Sequence, residues 1–424
     1  MAEKHCPSYY AATVNDHTIY PSLAGEIITD ICVVGGGFTG ISTALTLAER
    51  GFDVVVLEEN KVGWGASGRN GGQLINAISG EENLRNSHGQ KAEKLIHDIK
   101  WRGHEIIKER IKKYNIQCDL KYGFLTTAFK QRHMDDLKRE YDYCSAQGLE
   151  EHFKLVEEHD IKNYVGTDIY TGGLYSDLDG HLHPLNLCLG EARAAAGLGV
   201  RIFEASGVTE IKHGTAPIVK TQGGQVKAQK VVLAGNAYHH LEKKKLSGVL
   251  FPAGTYILAT EPLSDEIIAE IMPQDIAVCD ANEIVDYYRL SADKRMLFGG
   301  KCTYSGRDPI SIKDTMMPKM LHTFPKLKDV KIDYEWGGMI GITIKRTPHV
   351  GRINGNVYYA EGYSGHGVNS THIISEILSD AITGQMENYD LFVKARKFRL
   401  PVPRWVGNQM LALGMLYYRI KDRF

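Results

Sequence analysis

Between a short apolar run, Ile31 to Val34, and a helical stretch, Ile41 to Arg50, the chain carries Gly35-Gly36-Gly37-Phe38-Thr39-Gly40. Glycines at positions 35, 37 and 40, entered from a strand and left into a helix, predict a strand, a tight turn and a closely packed helix. Gly35 permits the turn, Gly37 lets bare main chain approach a pyrophosphate, and Gly40 lets the helix lie close to the strand. Phosphate charge then rests on the helix N-terminus, where free N–H groups and the positive end of the helix dipole favour an anion. Gly51 is placed to end that helix, and Asp53 to Glu58 reads as a second, fully buried strand of the parallel type. The βαβ unit is thereby complete. Glu58, at the end of the second strand, can accept hydrogen bonds from a ribose hydroxyl pair, and its charge disfavours the 2′-phosphate of NADP. The fingerprint alone leaves NAD and FAD open.

A second glycine-rich stretch, Gly63-Trp64-Gly65-Ala66-Ser67-Gly68-Arg69-Asn70-Gly71-Gly72-Gln73, is too rich in glycine for a helix or strand. It places Ser, Arg and Asn on exposed backbone suited to a second phosphate and a ring edge; a solvent loop is the alternative. Amphipathic spacing predicts one helix over Ala92 to Tyr114 and another over His133 to Gln147. Beyond Val200 the pattern turns to short β-rich runs at 200–203, 208–212, 218–221 and 226–233, with a hairpin at Gly223-Gly224. Further strands are expected at 256–260, 287–290, 296–299 and 332–336, with helices at 267–271 and 313–324, which together suggest a second, mixed sheet. Strand, glycine turn and helix then recur through Asn356 to Ala360, Gly362 to Gly367 and Ser370 to Ile382. One nucleotide-binding domain is therefore expected to be assembled from distant segments.

Composition narrows the partners. With 50 Lys plus Arg against 51 Asp plus Glu, the formal net charge is −1, which lacks the electrostatic footprint of a nucleic-acid binder. No run approaches a transmembrane span and the opening residues do not resemble a signal peptide, so a cytoplasmic protein is expected. Seven scattered cysteines without a Cys-x-x-Cys pair speak against a disulfide framework or a zinc site. The tail, with Trp405, Met410, Leu411, Leu413, Met415, Leu416 and Tyr417, reads as a packed helix rather than a membrane anchor.

At this point the sequence resembles the D-amino-acid oxidase-like FAD-dependent amine oxidoreductases, which include glycine oxidase and sarcosine oxidase. The resemblance runs from about Asp30 to about Thr383 and rests on 35–40, Val56-Leu57-Glu58, 65–72, Val231 to Ala237 and Gly362-Tyr363-Ser364-Gly365-His366-Gly367. It implies an α/β fold, a Rossmann-like FAD-binding domain interleaved with a mixed-sheet α+β substrate domain. The expected boundaries are 25–85, 181–245 and 346–395 for the FAD domain, 86–180 and 246–345 for the substrate domain, and 396–424 for a helical tail. The cofactor residues implied are Gly35, Gly37, Phe38, Thr39, Gly40 and Glu58 in the first loop and strand. Gly65, Ala66, Ser67, Arg69, Asn70, Gly71 and Gly72 follow in the second. Val208 would meet the adenine through its backbone, Gly235 lies in the central block, and Gly365, His366, Gly367 and Val368 would approach the flavin O2 end.

The activity implied is oxidation of an amine C–N bond by hydride transfer to the flavin, giving an imine that water hydrolyses to an aldehyde and ammonia. Some relatives attach flavin through a Cys or a His; at the matching stretches, 341–348 and 71–75, this chain has neither, so non-covalent FAD is expected. The family's amino-acid oxidases clamp an α-carboxylate with an Arg, and Gly341-Ile342 supplies none there. The stretches 8–11, 180–187 and 286–290 are similar to the branch acting on γ-glutamylputrescine or a related polyamine-derived amine.

Tyr287, Tyr288 and Arg289 are the expected substrate contacts and His366 the expected catalytic contact at the flavin; His181 and His183 are weaker options. Each has an ordinary alternative: core or ion-pair residues in the strand, a packed histidine at 366, a structural pair at 181 and 183. Oxygen or a quinone would take the electrons, with Lys301 and Lys345 as candidates for activating oxygen. An amino-acid oxidase of the glycine or sarcosine type, or a flavin-binding protein without turnover, are the competing functions.

Overall fold

The computed structural model describes residues 2–282, 284–303 (Lys301 by backbone only), 309–400, 406, 407, 409, 410 and 412. The side chain of Lys301, and Trp405, Leu411, Leu413, Met415, Leu416 and Tyr417 of the expected tail helix, lie outside the described residues.

The strand before the glycine fingerprint is longer than its apolar run, Gly25–Val34, and the helix after it is Phe38–Glu49. Val54–Leu57 is buried at every position, so both of its faces are covered, as the unbroken apolar sequence requires. These strands sit in an eight-stranded sheet ordered His349–Ile353, Val357–Glu361, Gly224–Leu233, Gly25–Val34, Val54–Leu57, Arg201–Phe203, with Val208–Lys212 and Ile218–Thr221 as an antiparallel meander off Gly224–Leu233. Cys32 pairs with Val55 on one side and Val231 on the other, both in parallel register. Segments far apart in sequence thus close one sheet.

A second, nine-stranded sheet runs Ile332–Thr343, Leu250–Pro262, Arg295–Thr303, Tyr287–Leu290, Ala277–Asp280, Lys121–Ala128, Gly172–His181, Gln73–Leu74, with Phe153–Glu157 off Gly172–His181. It is mixed: among the described residues only Ala277–Asp280 against Lys121–Ala128 is parallel. Gln73–Leu74 is the short strand that leads straight from the second glycine stretch to this sheet.

The single helix expected over Ala92 to Tyr114 is two, Gln90–Lys100 and Arg102–Lys113. Asn369 Nδ2 donates to the Lys100 carbonyl at 3.0 Å, taking an acceptor a continuous helix would use, and a side chain at Gly103 would run into Asn369. No helix among the described residues is long and apolar enough to cross a membrane.

Four helices meet at one buried charged node. Arg110, from Arg102–Lys113, donates to Glu191 Oε1 at 2.8 Å, and to the Ser42 hydroxyl (2.7 Å) and Thr46 hydroxyl (2.8 Å) of Phe38–Glu49. Glu191 belongs to Pro184–Gly197 and is fully buried. His372, in Gly367–Thr383, donates from Nδ1 to the Val368 carbonyl at 2.7 Å, and its Nε2 lies 3.1 Å from Glu191 Oε1. Burial alone would raise the Glu191 carboxyl; the His372 and Arg110 charges overcome it and hold it down at about 2. Replacing Glu191 with Ala strands the Arg110 guanidinium in the core, and urea unfolding should show a loss of about 3–5 kcal/mol. A loss below about 1 kcal/mol, the range of an exposed pair, would contradict this role.

Candidate active site

The fingerprint turn is built as its glycines require. Gly35 has φ +114°, and a Cβ there would sit 2.9 Å from the Ala234 carbonyl oxygen. A Cβ on Gly37 would sit 2.9 Å from Ser67 Oγ, and one on Gly40 would run into the Gly35 carbonyl. Gly37 caps the Phe38–Glu49 helix without a side chain of its own. Instead the Phe38 amide donates to Ser67 Oγ at 2.8 Å, which ties the first glycine loop to the second. The rest of this helix start opens on a cleft of about 1830 Å³, which Gly35, Gly37, Phe38 and Thr39 line. Gly40 is not on that wall; it serves the packing.

Glu58 also lines the cleft. Its Oε2 accepts from the Gly36 amide at 2.6 Å and its Oε1 from the Asn60 amide at 2.8 Å. Burial pushes this carboxyl up, and the two backbone donors oppose the rise. Each oxygen keeps a second lone pair for a ribose hydroxyl. Val208 shares this end of the wall.

The second glycine stretch is held by its own polar side chains. Asn70 Nδ2 donates to the Ala66 and Ser67 carbonyls at 3.1 and 2.9 Å, while its Oδ1 accepts from the Gly72 amide at 2.8 Å. Arg69 Nε donates to the Trp64 carbonyl at 2.8 Å, and its guanidinium lies 4.3 Å from the centre of the Trp64 ring. Gly65, Ala66, Ser67, Arg69, Asn70 and Gly71 line the cleft. Gly72 lies behind it, where a Cβ would meet the Leu182 carbonyl and Arg289.

The third wall is the late turn. Gly365, with φ +98°, and His366, Gly367 and Val368 line the cleft, and the Gly367–Thr383 helix begins there without a side-chain cap. Thr39 Oγ1 donates to the Tyr363 hydroxyl at 2.8 Å, joining this turn to the first helix. His366 is exposed on the cleft wall, and the surrounding protein lowers its imidazole below the ordinary value, which favours the neutral ring near pH 7. Gly235 completes the set of expected cofactor residues on the wall.

The expected substrate contacts divide. Tyr287 lines the cleft, its ring against Gly71 and Gly299. Burial raises its hydroxyl well above the ordinary tyrosine value, so it stays protonated. Tyr288 does not reach the cleft: strand alternation turns it to the other face, where it stacks on Phe298 (5.5 Å) and meets the Tyr170 hydroxyl at 3.1 Å. Arg289 does not line the cleft either. Its Nε donates to the Gly71 carbonyl at 2.8 Å, and its terminal nitrogens donate to the Leu182 carbonyl (2.8 Å) and Tyr10 hydroxyl (3.1 Å). It is a backbone clamp behind the second glycine loop.

His181 and His183 are also buried behind that loop, 1% and 3% exposed. Burial, with the Arg289 charge second, pushes both down to about 3. His183 Nδ1 accepts from the Asn186 amide at 3.1 Å and caps Pro184–Gly197. No group of three or more metal-ligating side chains occurs among the described residues.

The reading of the residues missed Gly36, Asn236 and His239. Asn236 Oδ1 accepts from the Gly362 amide at 2.9 Å and holds the late turn from the central block; its place directly after Gly235, at a strand end, was the available signal. His239, on the cleft wall, has a buried Nε2 without a hydrogen-bond partner. An adenine dinucleotide fits this cleft. Two uncapped helix starts face it, an acidic side chain retains free lone pairs, and bare main chain stands where a Cβ on Gly37 would crowd Ser67.

A family model described as FAD dependent oxidoreductase matches residues 30–381. The chain belongs to that family. It is an FAD-dependent oxidoreductase, and Gly37, Glu58 and Gly367 all line the cleft. The chain is similar, 42% identical over 99% of both chains, to "Gamma-glutamylputrescine oxidoreductase" of Escherichia coli (strain K12). Its fold is that of L-proline dehydrogenase from P. horikoshii (TM-score 0.72, 22% identity, 92% of this chain and 99% of that one). Glycine oxidase from Geobacillus kaustophilus shares it too (TM-score 0.69, 19% identity, 84% and 95%).

Two outcomes check the site. Gly37→Val places side-chain atoms where Ser67 and the phosphates must lie, so the purified variant should be colourless; a yellow variant would contradict the loop. His181 and His183 are neutral when folded and protonate when unfolded. Stability is therefore complete above the unfolded value near 6.5 and falls as pH drops from there toward about 3. Urea unfolding at pH 4.5 should be on the order of 2–5 kcal/mol easier than at pH 7, and His181→Gln should flatten that slope.

Proposed function

We propose that this enzyme oxidises the primary amine end of γ-glutamylputrescine or a close polyamine-derived relative, with FAD held without a covalent bond. The observation that carries the reading is the full-length similarity to the Escherichia coli enzyme. Bound FAD supplies the two-electron chemistry, accepting hydride from the carbon that bears the nitrogen. The chain's own residues must hold that carbon, keep the amine as a neutral lone-pair donor and exclude water.

The wall around Tyr287 suits this task. Cys279, Ile284, Val285 and Ile340 give it an apolar lining, and the Tyr287 hydroxyl remains a donor or acceptor without charge. A neutral His366 adds no positive charge near a cationic amine on arrival. Arg69 and Arg289, the arginines nearest the second loop, are committed to backbone carbonyls. A primary amine, whose carboxylate is remote, therefore fits better than an α-amino acid. Burial holds the Cys279 thiol protonated, which favours non-covalent flavin, since a thiolate is the form that adds to an electrophile. Seven free cysteines fit a reducing, cytoplasmic setting, and oxygen or a quinone takes up the electrons.

Anaerobic mixing with γ-glutamylputrescine, putrescine, glycine, sarcosine and D-alanine tests the substrate. Visible flavin absorbance should be lost fastest with γ-glutamylputrescine; bleaching by sarcosine or D-alanine alone would reverse the assignment. Acid precipitation should leave FAD in the supernatant, and a coloured pellet would contradict the non-covalent reading.

A further inference from the structure

One side chain on the cleft wall has no task in the account above. Lys100 is 8% exposed and reaches the cleft, yet its Nζ has no hydrogen-bond or ion-pair partner among the described residues. Its nearest recorded interaction is with the face of Tyr143, 5.6 Å from the ring centre. The stem is buried while the ammonium opens on the cleft, so an anionic ligand group there gains a charge-assisted hydrogen bond without displacing a protein partner. Its backbone is fixed in place, because the Lys100 carbonyl accepts from Asn369, in the first turn of the helix that faces the cofactor.

Other cleft cations differ. Arg85 is taken by Glu81 (3.1 Å) and Glu93 (2.8 Å), Arg69 is held over Trp64, and Lys345 is exposed. Glu140 stands on the same wall with no ion pair of its own. Its side chain is exposed on the cleft side, and among the described residues the positive charge that acts on its carboxylate most is that of Lys100. An ammonium and a carboxyl group within electrostatic reach, but not bonded to each other, match a ligand that carries both charges side by side. The α-carbon of a glutamyl group does so.

We propose that Lys100 binds the α-carboxylate of the substrate's glutamyl head while Glu140 faces its ammonium, so that the end remote from the reacting amine is read at this rim. The inference rests on the substrate reading given above. Lys100 and Glu140 are then specificity residues that touch substrate but not the reacting carbon.

The test is anaerobic flavin reduction by γ-glutamylputrescine and by its α-carboxamide analogue, with wild type, Lys100→Met and Lys100→Arg. Lys100→Met should raise the half-saturating concentration of γ-glutamylputrescine on the order of 10–100-fold while the limiting rate stays within about twofold. Lys100→Arg should restore part of the affinity. The carboxamide should bind wild type as weakly as the parent compound binds Lys100→Met, and lose nothing more in that variant. Equal weakening of both compounds, or of neither, would overturn the inference. Should Lys100→Met fail to hold FAD, wild type alone decides: equal affinity for carboxylate and carboxamide overturns it. A wild-type flavin that γ-glutamylputrescine does not bleach overturns the substrate reading itself, whereas bleaching without carboxylate discrimination overturns only the role of Lys100.

Discussion

The buried Arg110–Glu191–His372 node is the constraint on which the cleft depends. Phe38–Glu49 and Gly367–Thr383 both point their uncapped starts at the same space, and helix ends of like polarity repel, each carrying roughly half a positive charge. Apolar packing alone would set their separation loosely. Arg110 grips the first helix at Ser42 and Thr46, Glu191 grips Arg110, and His372 grips Glu191 from one turn inside the second helix. Both dipoles are thereby aimed at the cleft by hydrogen bonds of fixed geometry, a preorganised positive field at two places on its wall.

Around that field, polar side chains serve main chain far more than ligand. Ser67 fastens one glycine loop to the other, Asn70 folds the second loop on itself, Arg289 clamps it from behind and Asn236 holds the late turn. Loops this rich in glycine lose much conformational entropy on ordering, and each of these hydrogen bonds offsets part of that cost. Bare backbone can then face the cofactor without being floppy.

This division of labour explains which parts of the chain were legible in sequence. The fingerprint, Glu58 and the late Gly365-His366-Gly367 turn carry local backbone requirements, so their sequence and their geometry agree. The β-rich runs at 208–212, 218–221 and 287–290 were bounded by turn residues and coincide with observed strands. Gly172–His181 was invisible because its sequence, rich in Gly and Asp, has low strand propensity, and it is held by pairing on both sides. Tyr288 and Arg289 differ for separate reasons: period two says that neighbours face opposite ways, not which way faces the ligand, and Arg289, on the same face as Tyr287, is taken up by the Gly71 and Leu182 carbonyls behind the loop. Lys100 gave no signal at all, since the neighbour of its ammonium, Tyr143, comes from a helix distant in sequence.

A density map of the crystallised holoenzyme tests the central claim most directly. The diphosphate should lie within hydrogen-bond distance of the amides that open Phe38–Glu49, the ribose on Glu58, and the ring's pyrimidine edge at the start of Gly367–Thr383. A dinucleotide bound elsewhere, or lying in the cleft with its phosphates away from the first helix and its ring away from the second, would contradict it.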